Sequence, residues 1–174
     1  MTARNLHASS CMNRRRKLLT DLLVGATAGV AATFVMDKVT NVLYERENRF
    51  TRHREDSARG GHTAYETAAE KVFGDDLDED DRKQIGSAIH WSLGISAGVL
   101  YGLMRNRTPH LGIGSGLLFG ALFFAAMDEG VVTILKLAPP PKAFPWQTHA
   151  RGLAGHLVLG AVVEAPFDLM DAAA

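Results

Sequence analysis

The chain has 174 residues, with 19 Lys and Arg against 19 Asp and Glu, so its formal net charge is zero and charge indicates no nucleic-acid or polyacid partner. Its one cysteine, Cys11, excludes an intramolecular disulfide and a cysteine metal site. Mean hydropathy is near zero, but that average hides a division into apolar blocks and one polar block.

Residues 1–17 form a polar, basic tail ending in Arg14, Arg15, Arg16 and Lys17, a cytoplasmic flank for the apolar run that follows. Residues 18–37 are the first expected membrane span. A twin-arginine-like signal, RRRKLL with Ala26, Thr27 and Ala28 as cleavage site, is the alternative; Asp21 within the run and the later apolar segments argue against it. Asp21, Gly25, Gly29, Thr33 and Asp37 lie four apart and share one helix face.

Residues 38–84 are dense in both charge signs and read as a helical loop outside the bilayer core. YERENRFTRHREDSARGG predicts a charged helix broken at Gly60 and Gly61, and Thr63 with Glu66 predicts a capping box for a helix through Phe73. The acidic run Asp75 to Asp81 has alternate carboxylates but fails as a calcium loop, with Asp81 in place of the glycine and Ser87 in place of the final glutamate. Asp78 is instead expected to cap the next helix.

The second span, 85–104, carries Gly86, His90, Gly94, Gly98 and Gly102 on one face, and a run of this length covers roughly 30 Å of hydrocarbon. The short turn RNRTPH returns the chain antiparallel into a third span, 111–137, with Gly112, Gly116, Gly120, Phe124 and Asp128 in register and Glu129 alongside. Residues 138–148 are a stiff proline-rich connector. The fourth span, 149–170, repeats the pattern with Gly152, His156, Gly160, Glu164 and Asp168.

The expected fold is all-α and polytopic: four transmembrane helices in an up-down bundle plus the helical extramembrane loop. Small residues at this spacing let helix backbones approach closely, so Gly25, Gly29, Gly94, Gly98, Gly102, Gly116, Gly120, Gly152 and Gly160 are the expected packing positions, within one chain or between chains of a homo-oligomer. The lipid bilayer is the partner such a chain requires.

Up-down topology brings Asp37, His90, Asp128, Glu129, His149, Arg151 and His156 to the level of the long loop, with Glu164 towards the opposite face. Three readings stand. The groups bond across helices as polar glue; or they handle protons or ions; or His90, Glu129 and His156 bind a transition metal, in a metal-binding protein or metalloenzyme. The sequence requires no cofactor and contains no HExxH, nucleophile elbow or P-loop, so no catalytic residue is assigned and a non-enzymatic protein is expected. An assembly or interaction factor docking through 38–84 is a further alternative.

Four segments, GATAGVAATFVMDKVTNVLYERE, AIHWSLGISAGVLYGLMR, MDEG and FPWQTHARGLAGHLVLGAVVEA, resemble the YagU-like family of uncharacterised bacterial inner-membrane proteins. The resemblance covers most of residues 20–168. It implies a multi-pass inner-membrane protein of unassigned activity and supplies no catalytic residues.

Overall fold

In the computed structural model, the backbone is described for residues 3–74, 76–105, 107–108 and 110–173, and side chains from Lys17 onward. The side chains of Cys11 and of Arg14, Arg15 and Arg16 in the basic tail, and all of Asp75, lie outside this set. Among the described residues every regular element is a helix.

α1 spans Ala3–Arg46. It runs past the expected end at residue 37 because residues 38–46 contain neither glycine nor proline to stop it. Asn48 restarts the chain by capping α2 (Arg49–Arg59), its side chain accepting the Thr51 N–H at 2.9 Å. Gly60, at φ +66°, closes α2, a conformation that costs glycine little. α3 (Ala64–Phe73) begins with the capping box: the Glu66 N–H donates to the Thr63 hydroxyl while the Glu66 carboxylate accepts the Thr63 N–H. Asp78 accepts the Asp81 N–H at 2.8 Å and so starts α4 (Glu79–Arg105).

The third apolar run departs from expectation. It begins as a helix only at Leu117, because Gly114, Ser115 and Gly116 sit at φ +67°, +53° and +82° and successive left-handed residues cannot continue a right-handed helix. After α5 (Leu117–Phe124) the chain widens into a π-helix, Ala125–Val131, before one turn of α6 (Val132–Ile134). A 3-10 turn at Pro141–Ala143 leads into α7 (Trp146–Ala172), which starts three residues before the expected 149.

The long helices form a row. α1 packs along α4 on one side and antiparallel to α7 on the other, α5 packs on α7, and α3 packs on α4. Glycines lie at these contacts. A Cβ on Gly29 would lie 2.7 Å from the Gly94 carbonyl oxygen, and one on Gly25 would lie 2.5 Å from that of Gly98. Gly116 and Gly160 face each other's backbone across the α5–α7 seam, and Gly120 faces the His156 carbonyl. Gly102 faces the Asp21 carbonyl, whereas Gly152 faces the Phe124 ring. These ridges are therefore occupied within the chain, and an oligomer would need another surface.

The row also corrects the expected neighbours: α4 and α5 follow one another in the chain but meet chiefly through side chains, because the α4 glycines already face α1. Tyr101, fully buried, fills that gap against Phe119 at 4.9 Å between ring centroids, with Val163, Leu159 and Phe167 around it.

Among the described residues three helices, not four, are long and apolar enough to cross a membrane: Lys17–Arg46, Leu117–Ile134 and Trp146–Ala172. α4 is long enough, but Ser87, His90, Ser92 and Ser96 lower its hydropathy. Leu19, Leu23, Phe34 and Leu122 stay exposed on the outer faces, which points to a bilayer as their surroundings.

Candidate functional site

Where α1, α3, α4, the π-helix and α7 meet, a cavity of about 590 Å³ opens on the side of the α2–α3 hairpin. Asp37, His90, Asp128, Glu129, His149 and Arg151 all line it. Beneath lies a smaller apolar pocket of about 200 Å³ that shares Tyr65, His90 and Asp128 with the first and reaches His156.

The ionisable groups do not converge on one point. They form separate histidine–carboxylate pairs around the cavity wall. His90 Nε2 lies 2.9 Å from Asp37 Oδ1, joining α4 to α1. His149 Nδ1 lies 2.6 Å from Glu129 Oε1, and its Nε2–H donates to the Pro141 carbonyl at 3.0 Å. His156 Nδ1 likewise donates to the Gly152 carbonyl at 2.9 Å, leaving Nε2 aimed at Asp128 Oδ1, 3.8 Å away and outside hydrogen-bond distance. Asp128 accepts no hydrogen bond from any described residue. The π-helix contributes directly here: its widened turn lets the adjacent Asp128 and Glu129 both reach α7.

His90, Glu129 and His156 each turn to a different partner, and among the described residues no group of three or more His, Cys, Asp or Glu is arranged to hold a metal ion.

Arg151 pairs with neither Asp37 nor Glu129. It reaches across to Glu47 at the foot of α1 and, at 2.6 Å, to both oxygens of Glu55 on α2. Glu55 also accepts from Arg59 at 2.7 Å and from the Thr148 hydroxyl at 2.8 Å. Burial pushes the Glu55 carboxyl up, but the bonds from Arg151, Arg59 and Thr148 reverse this and hold it below the usual carboxylate range. Neither Glu47 nor Glu55 stood out in the sequence, since Glu55 is one of many charges in its helix and its partner lies 96 residues away.

Tyr65 closes the cavity from α3, its ring 4.8 Å from His90 between centroids. Burial, and then the negative field of Asp128 and Asp37, push its phenol above the ordinary value.

Glu164 belongs to a second cluster at the opposite end. It is buried, bonds to the Tyr101 hydroxyl and pairs with Arg105 at 2.8 Å, while Arg105 also reaches Asp168 at 3.1 Å and Asp171 at 2.7 Å. The turn that follows α4 and the Glu164 end of α7 fall on the same side of an up-down bundle, but nothing local to Arg105 or Glu164 specified the pairing.

No curated protein and no solved structure matches the chain. A family profile described as protein of unknown function (DUF1440) matches residues 60–165, which hold His90, Tyr101, Arg105, Asp128, Glu129, His149, Arg151, His156 and Glu164. With more than half of its length inside that match, the chain belongs to the DUF1440 family.

Proposed function

We propose that this is a non-enzymatic, multi-pass protein of the bacterial inner membrane that handles protons or other cations through the vestibule between α1, α4 and α7. The observation that carries the reading is two histidine–carboxylate pairs on one cavity wall, His90 with Asp37 and His149 with Glu129, beside an Asp128 that faces His156 from 3.8 Å. Imidazoles held against carboxylates are the side chains that relay protons in membrane proteins. The strong cations nearby do not cancel this, because Arg151 and Arg59 are committed to Glu55 and Lys83 to Glu79.

Four crossings are part of the proposal. α4 is not among the helices apolar enough to cross unaided, yet it touches α1 backbone to backbone at Gly94 and Gly98, and a helix so joined to a spanning helix shares its depth. The basic tail before α1 supports a cytoplasmic N-terminus. The α2–α3 hairpin, tied down through Glu55 and Arg151, acts as a wall of the vestibule rather than a free docking arm.

The test is proton flux. Purified protein in liposomes loaded with a pH-sensitive dye should collapse an imposed pH gradient faster than empty liposomes, and Asp128→Asn should remove the difference. Identical rates for wild type, variant and empty vesicles would defeat the proton reading. Labelling of Cys11 by an impermeant maleimide only after the cytoplasmic face is opened would support the orientation; labelling in intact cells would reverse it.

A further inference from the structure

The two cavities share Tyr65, His90 and Asp128 in their walls but are chemically unlike. The upper one presents carboxylates, whereas the lower one is bounded by Leu93, Phe123, Met127, Val131 and Leu159, with Asp128 at the junction of the two. Of the three carboxylates that face a histidine, Asp128 alone takes no hydrogen bond from it: Asp37 and Glu129 are within hydrogen-bond distance of His90 and His149, while His156 Nε2 stays 3.8 Å from Asp128. His156 itself is 4% exposed and points its unbonded Nε2 into the lower pocket.

A bare metal ion does not suit this place, since one carboxylate beside an apolar pocket offers too few donors. An anion does not suit it either, because the arginines and the lysine of the upper cavity already have carboxylate partners. A cation that brings its own hydrocarbon satisfies both halves. Its N–H groups donate to Asp128, Tyr65 supplies a ring within the same wall, and the tail displaces water from the pocket below.

We propose that the junction of the two cavities binds an amphiphilic organic ammonium ion, with its head on the Asp128 carboxylate and its tail in the pocket bounded by Leu93, Phe123 and Leu159. The site deepens the cation reading above and rests on it in treating the vestibule as cation-seeking. It names the class of cation: a primary or substituted alkylamine rather than an inorganic ion.

The experiment is calorimetric titration of the full chain in lipid nanodiscs, with empty nanodiscs as the blank for partitioning. Hexylamine is the probe, compared with hexanol, which lacks the charge, and hexanoate, which reverses it. Saturable one-to-one binding of hexylamine, weakened about tenfold or more for the other two, is expected. Asp128→Asn should weaken hexylamine by a similar factor, and Leu93→Trp, which fills the tail pocket and leaves the carboxylate in place, should do the same. Equal binding of hexylamine and hexanol, no saturable hexylamine binding, or unchanged affinity in Leu93→Trp would each overturn the proposal. Should Asp128→Asn fail to fold, Leu93→Trp and the three-probe comparison decide alone. Because binding is read at equilibrium without a pH gradient, amine binding without proton flux removes only the proton reading, and flux without amine binding removes only this one.

Discussion

His156 and Asp128 face each other across the α5–α7 seam with 3.8 Å between Nε2 and Oδ1, on helices whose backbones are in contact where Gly120 meets the His156 carbonyl. The close approach joins the packing of the helices to the chemistry of the cavity, since the glycine seam sets how far the imidazole stands from the carboxylate.

That seam and its counterpart between α1 and α4 should be intolerant of one added methyl. Gly98→Ala would drive a Cβ into the Gly25 carbonyl and Gly29 Cα, and is expected to lower stability by about 1–3 kcal/mol, the range for overpacked positions. Gly152→Ala should cost less, because its nearest obstacle, 2.9 Å away, is the Phe124 ring, which can tilt. Unfolding titrations of both variants in mixed micelles compare the two; equal losses would mean that backbone contact is not what holds α1 to α4.

Glu55 is expected to be the most sensitive residue of the hairpin. Glu55→Ala leaves Arg151 buried with Glu47 as its remaining carboxylate, and breaking one side of a buried pair costs about 3–5 kcal/mol. The folded-state carboxyl titrates below the ordinary glutamate value of 4.5, so its contribution is fully present above pH 4.5 and is lost as pH falls through the lowered folded value. Stability measured against pH should therefore drop on the acid side in wild type, and the drop should shrink in Glu55→Gln.

At the opposite end, Arg105→Ala would strand Glu164, whose side chain is 3% exposed, and should also cost about 3–5 kcal/mol. Replacing both residues by methionine should recover most of that loss, since apolar groups of similar size leave no buried charge. A double variant as unstable as the sum of its singles would show that Arg105 acts through Asp168 and Asp171 instead.

His90 and His156 have different partners, so their effects on stability should be independent. His90→Ala and His156→Ala are expected to add to within about 0.5 kcal/mol, whereas His90→Ala and Asp37→Ala, which share one hydrogen bond, should not add. Double-variant cycles by thermal unfolding distinguish these cases. Strong coupling between the two histidines would imply a shared ligand and would reopen the metal reading.

What the sequence by itself determined is local. Thr63 and Glu66 specify a helix start, Asn48, Asp78 and Gly60 specify boundaries, and the apolar runs in α1, α5 and α7 specify helices able to sit in lipid, because caps and hydropathy act within a few residues. The run beginning at 111 misled for the same reason: hydropathy is blind to the positive φ angles of Gly114, Ser115 and Gly116. What only the tertiary structure decided is which groups pair. Arg151 choosing Glu55 over Glu129, Arg105 choosing Glu164, and Asp128 being left open beside His156 all depend on the separation and rotation of helices far apart in the chain. An ion pair is settled by a few ångströms between side chains, and the helix row, ordered by glycine contacts, is what sets those distances.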